Sequence, residues 1–173
     1  MSDDLDYRPF ARALPPRRAR ALPWITVGIA SALTVAPAIA TLPLLPPLGL
    51  IMLLTWRLLA RFSLRPWAAA PLGLFDDLVS GQPLGSAMLL WSLCFLVIEV
   101  IEQRMRDRDF RQDWLIAAAL TAAALAAGRL VASPLAAPLA PVLATQIAAS
   151  ALLFPLAARV VAWVDRHRIR AQA

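Results

Sequence analysis

The 173-residue chain has no lysine, one cysteine, one histidine and, between Arg65 and Glu99, no charge but Asp76 and Asp77. Each absence narrows what it can be. A single cysteine, Cys94, excludes an intramolecular disulfide and a thiolate metal cluster, and its place in the apolar run Met88 to Val100 marks it as a small packing residue. The single histidine, His167, stands between Arg166 and Arg168 in a basic terminal segment, where a solvated or lipid-headgroup role is expected. The apolar segments therefore hold no histidine, and the chain has no HExxH pattern, no nucleophile elbow and no glycine-rich phosphate loop. Nothing in this inventory points to an enzyme or to a bound cofactor. The 17 basic residues, all arginine, outnumber the 11 acidic ones by six. They are divided among short polar segments without an aromatic stacking platform, which argues against nucleic acid.

What is present in abundance is apolar. The composition is 60% hydrophobic with a mean hydropathy of +0.66, against about 45–50% apolar residues in soluble domains. The reading is an all-α membrane protein with one domain. Residues 1–21 are polar and proline-interrupted and are expected to form a disordered cytoplasmic tail. Residues 22–165 divide into six transmembrane helices, and residues 166–173 form a basic cytoplasmic tail. The expected helices run from Leu22 to Leu45 with a kink at Pro37, Leu48 to Ala60, Pro66 to Ser80, Leu84 to Glu102, Trp114 to Ala132 and Val142 to Val164. The second and third are short, and the third is interrupted by Pro71 and Gly73, as in segments that line internal sites. Arg57 and Arg61, one turn apart, are expected to snorkel to the same interface. Ala119, Ala123 and Ala127 offer a smooth face for close helix approach, although an alanine-rich composition would give the same spacing.

Arginine placement sets the orientation. The two tails, the 57–65 junction and the 104–111 loop carry nearly all of it, whereas the connections 43–47, 80–84 and 133–141 carry no charge. By the positive-inside rule both termini and the arginine-bearing loops are expected to be cytoplasmic, as in a multi-pass membrane protein. Ala38-Ile39-Ala40 resembles a signal-peptidase site, but the apolar stretch continues past it to Leu45, which favours a retained helix.

Asp76 and Asp77 are the only charges between Arg65 and Glu99. A carboxylate at the centre of a membrane helix costs about 2.5–3.5 kcal/mol, so such residues face a bundle interior or a water-filled cavity. In the expected topology Asp77, Arg129, Thr145 and Gln146 all fall in the outer half of the bilayer. One reading pairs Arg129 with Asp77 or Asp76, completed by Gln146; the other sends Arg129 to outer headgroups and the aspartates to interfacial water. The two aspartates point about 100° apart on a helix, so they cannot share a partner squarely. Gly81 and Gly85 flank Gln82-Pro83 as turn residues.

The segment from Pro71 to Gly85 resembles the signature region of the MreD family, bacterial rod-shape-determining membrane proteins. The matching positions are Gly73-Leu74, Asp77-Leu78, Gly81 and Leu84-Gly85, with Pro83 between them and Asp76 as an additional acid. The resemblance implies a six-helix fold similar to the substrate-binding subunits of energy-coupling-factor vitamin transporters. It also implies a non-enzymatic subunit of the cell-elongation machinery, helping to regulate lateral peptidoglycan synthesis and cell shape. Its implied partners are the MreC transmembrane helix and, through it, MreB, RodA and a class B penicillin-binding transpeptidase, with the motif residues shaping the MreC-facing turn. Arginine-rich loops would meet anionic membrane lipid or MreB. The alternative is a vitamin-type uptake subunit using the outer polar cluster as its ligand site.

Overall fold

A computed structural model of the chain describes residues 17–35, 46–60, 63–105, 108–132 and 140–170. Among these residues the secondary structure is helical: α1 (Arg17–Val35), α2 (Leu48–Leu59), a single 3₁₀ turn (Pro66–Ala68) running into α3 (Ala69–Ser80), α4 (Ser86–Arg104), α5 (Phe110–Ala132) and α6 (Ala140–Arg170). Two stretches, Ser86–Arg104 and Val142–His167, are long and apolar enough to cross a membrane; Ala21–Thr34 and Leu48–Leu59 are shorter apolar helices.

A twelve-residue helix is the centre. Nine of the twelve residues of α2 are buried, from Gly49 through Leu58 on every side of the helix, and α2 lies against α1, α4, α5 and α6. A helix that is apolar all round belongs inside a bundle. Its short length follows from Pro47 before it and from the chain reversal after Leu59. Around it, α3 lies against α4 and α1, α4 against α5, and α5 against α6. Leu53, Leu54, Trp56, Phe95, Ile98 and Phe154 form the buried centre. The Trp56 indole N–H donates to the Thr26 hydroxyl oxygen at 2.8 Å, tying α2 to α1.

Several boundaries differ from the sequence expectation. α1 begins at Arg17, inside the segment 1–21 assigned to a disordered tail, and α6 continues to Arg170, inside the segment 166–173 assigned to a basic tail. Charged side chains do not stop a helix whose i→i+4 bonds are already propagating. Pro37, Arg61 and the connections 36–45 and 133–139 lie outside the described residues. On α5 the buried positions are Ala117, Leu120, Thr121 and Ala124, while Ala119 and Ala123 are exposed. The stripe of Ala119 and Ala123 is thus not the packing face; the next position round the helix, with Leu120 and Ala124, takes the interior. Cys94 is buried in the core, with a free thiol.

Pro155 lies within α6 and cannot supply the N–H that would bond the Ala151 carbonyl. The Trp114 indole N–H of α5 donates to that carbonyl at 2.7 Å. A side chain from the neighbouring helix thus replaces the backbone donor that proline lacks. Trp114→Phe is expected to cost about 1 kcal/mol, because Trp114 is partly exposed and the orphaned carbonyl retains some access to other donors. In a Pro155→Ala background, which restores the backbone donor, the same substitution should cost clearly less. Thermal unfolding of the four proteins in detergent gives this coupling as a double-mutant cycle.

Candidate functional site

The signature segment builds a helical hairpin, α3 to α4, and two residues one turn apart lock it. At Gly73 a methyl group would lie 2.7 Å from the Ala87 carbonyl oxygen and 2.7 Å from both the Cα and N of Met88. The backbones of α3 and α4 therefore cross in contact at this point, and only glycine leaves room. Four residues on, on the same face, Asp77 is 1% exposed and turns its carboxylate onto the start of α4. The Ser86 hydroxyl and the Ala87 N–H each donate to Oδ1 at 2.9 Å, and the N–H groups of Gly85 and Met88 donate to Oδ2 at 2.9 and 3.4 Å. The first turn of any helix has N–H groups without intrahelical partners and a partial positive charge. Here an acid from the preceding helix caps both.

Glycine geometry completes the reversal. Gly81 ends α3 at φ 68°, its N–H bonded to the Asp77 carbonyl at 3.1 Å, and Gly85 enters α4 at φ 94°. Both are in the left-handed region that side chains disfavour. Pro83 sits between them and accepts, through its carbonyl, the Ser86 N–H at 3.1 Å. Leu74, Leu78 and Leu84, the apolar members of the signature, are exposed on the outside of the hairpin. Gly73→Ala is expected to destabilise the folded protein by about 1–3 kcal/mol, at the upper end because the obstacle is backbone and cannot turn aside. Loss of the unfolding midpoint in detergent, with little change at exposed Leu78→Ala, is the check.

Asp76 has separate surroundings. It is half-buried, its side chain lies beside Ser31 of α1, and Gly49 of α2 and Trp91 of α4 close the same spot. A methyl group at Gly49 would collide with the Ser31 hydroxyl and lie 3.1 Å from both Asp76 Oδ1 and Trp91. The pair therefore divides as the helical angle requires: Asp77 faces α4, and Asp76 faces α1 and α2.

Among the described residues Asp77 stands apart from the rest of the outer polar cluster expected from the sequence. Asp77 is satisfied by the start of α4, and among the described residues no ion pair joins Arg129 to either aspartate. Thr145 is exposed and its hydroxyl donates to the Val142 carbonyl at 2.8 Å. Gln146 is buried on α6, and its backbone carbonyl accepts the Ser150 hydroxyl at 2.7 Å. The physical reason is packing order: α3 lies against α4 and α1, away from the α5 to α6 pair that carries Arg129, Thr145 and Gln146.

A second charged centre was hidden in the sequence. Arg57 of α2, expected to snorkel outward, has a side chain only 5% exposed. Its Nη2 donates to Glu99 Oε2 and Glu102 Oε2, both at 2.7 Å, and its Nη1 to Glu102 Oε1 at 3.3 Å. The guanidinium also lies over the Phe95 ring, 5.8 Å from its centroid. Glu102 in turn lies 3.5 Å from Arg108 Nη2, and Arg108 Nε lies 3.2 Å from Asp113 Oδ1 at the start of α5. The Arg108 side chain is fully buried, so Arg108, two residues ahead of α5, is held against the bundle. Arg57 did not snorkel because two carboxylates one turn apart on α4 face it across the core. Among the described residues no group of three or more histidine, cysteine or acidic side chains could hold a metal ion.

The chain was compared with known proteins. The family model described as rod shape-determining protein MreD matches residues 19–158, which include α2 to α5 and most of α1 and α6. No curated protein and no solved structure matches.

Proposed function

The chain belongs to the MreD family of rod shape-determining membrane proteins, and on that premise we propose that it is a non-enzymatic inner-membrane subunit of the elongation complex whose α3 to α4 hairpin receives the MreC transmembrane helix. The observation that carries this reading is the division of labour within the signature. Gly73, Asp77, Gly81 and Gly85 are used up in closing the hairpin, whereas Leu74, Leu78 and Leu84 remain exposed on it. Polar members fix a shape, and apolar members are left for a partner helix to read. In a membrane, close packing rather than water exclusion drives such association, so a preset rigid surface is what a partner helix needs.

The proposal includes all six helices entering the membrane with both termini cytoplasmic, in the manner of energy-coupling-factor substrate-binding subunits. Through MreC the hairpin would connect to MreB, RodA and the class B transpeptidase and so bear on lateral peptidoglycan synthesis. The vitamin-uptake alternative places its ligand at a cluster of Asp77, Arg129, Thr145 and Gln146, and the bonding of Asp77 to the start of α4 weighs against it.

The test is disulfide or bifunctional crosslinking from cysteines placed at Leu74, Leu78, Leu84 and Leu89 in a Cys94→Ser background. MreC should be captured from at least two of these sites and not from exposed Leu152 on α6. Capture from none of them, while MreC still co-purifies, would sink the hairpin reading.

A further inference from the structure

The far end of α6 carries arginines of a different kind from Arg57 and Arg108. Arg159 and Arg166 form no ion pair among the described residues, and both Arg159 and Arg166 are exposed. At about 100° per residue, Leu152, Leu156, Arg159, Trp163 and Arg166 fall within a single face less than about 90° wide. Leu152 and Leu156 are exposed apolar side chains. Trp163 is 56% exposed, and His167 stacks on it with ring centroids 4.2 Å apart while its Nδ1 approaches the Trp163 carbonyl at 2.8 Å. Along this face the surface thus changes from leucine to arginine, tryptophan and a second arginine over about 20 Å. The nearest acid in sequence, Asp165, projects from a different side of the helix and has its own partner.

We propose that this face is a docking site for the headgroups of anionic phospholipids. Among the described residues its two guanidiniums have no counter-charge, and they flank an amphipathic ring of the kind that settles at the headgroup level. The leucines below them suit acyl chains, so the complementary ligand is a phosphate ester with a hydrocarbon tail rather than a free anion or an acidic peptide. A guanidinium offers two parallel donors to phosphate oxygens, and Trp163 fixes the depth at which they act. This inference rests on the membrane reading proposed above, but not on the MreC reading or on which side of the membrane the α6 end occupies.

The full-length protein, reconstituted into nanodiscs of phosphatidylcholine with a minority of phosphatidylglycerol, should carry phosphatidylglycerol in excess of the bulk ratio when its bound lipids are counted by native mass spectrometry. Both leaflets of a nanodisc are alike, so the result does not depend on orientation. Arg159→Gln is expected to reduce that enrichment about fivefold, the equivalent of ~1 kcal/mol for one arginine at an anionic surface. Arg159→Lys should retain most of it, and Arg159→Gln with Arg166→Gln should abolish it. Because neither side chain has an ion-pair partner among the described residues, unfolding midpoints in zwitterionic detergent should be unchanged, which separates lipid binding from misfolding. Inorganic phosphate should not displace the lipid. Bulk-ratio lipid on the wild type, an undiminished excess on the double variant, or displacement by phosphate alone would overturn the proposal.

Discussion

Asp77→Ala is expected to lower the stability of the purified protein by about 2–4 kcal/mol and to abolish its function in maintaining rod shape. The carboxylate receives three backbone N–H groups and one hydroxyl from residues 85–88. Loss of an ordinary cap costs about 0.5–2 kcal/mol, but here the acceptor is charged and buried and joins two helices. Bonds to charged groups are worth roughly 1.5–3 kcal/mol, and a buried donor left without a partner costs about 1–3. These terms overlap, so their sum is an upper bound. Asp77→Asn keeps one carbonyl acceptor and should lose about half as much, because one oxygen and the charge facing the helix start are gone. Asp76→Ala, which removes a neighbour of Ser31 rather than a helix cap, should cost about 1 kcal/mol or less. Unfolding of the three variants in detergent orders them. If Asp76→Ala were the more damaging, the capping account of the signature would be wrong.

The order of helices was legible in the sequence because apolar runs and prolines are local signals. The segment Pro66 to Ser80, with its reversal at Gly81 to Gly85, could be read directly: left-handed glycines and proline are written into the residue types. The partner of Asp77 was not legible. Backbone N–H groups are common to every residue type but proline, so a side chain that seeks them leaves no second mark in the sequence, whereas Arg129, Thr145 and Gln146 stand out as polar residues at similar depth. Depth along a helix is readable; which helices are neighbours is not. Arg57 failed for the same reason, being separated from Glu99 and Glu102 by 42 and 45 positions. One signal was available. Glu99 and Glu102 lie on one face of α4 at i and i+3, and both they and Arg57 stand at the ends of otherwise apolar helices that the topology brings to the same side. A charge that interrupts an apolar face is better matched first against an opposite charge on another helix at equal depth than assigned to snorkelling.

Arg57→Ala should be more damaging than any signature substitution. It leaves Glu102, whose side chain is 15% exposed, without its strongest counter-charge, and it strips the link through Glu102 to Arg108 and Asp113. Removing one partner of a buried pair costs about 3–5 kcal/mol, because the remaining charge is stranded. Glu99 behaves differently: its side chain is 43% exposed, water or headgroups can take over its solvation, and Glu99→Gln should cost about 1 kcal/mol or less. Glu102→Gln falls between the two, since it takes one carboxylate from both Arg57 and Arg108, which keep Glu99 and Asp113 as partners. The network also holds Arg108 against the bundle through its buried side chain, so breaking it should free the residues around Arg108 before the helices separate. Two measurements test this in one preparation. The unfolding midpoint should fall in the order Arg57→Ala, Glu102→Gln, Glu99→Gln, and limited proteolysis should cut near Arg108 in the first two at temperatures where wild type and Glu99→Gln resist. Equal cutting in all four proteins would mean that Arg108 is held by something other than these charges, and that the arginine at the centre of the bundle stabilises α2 alone.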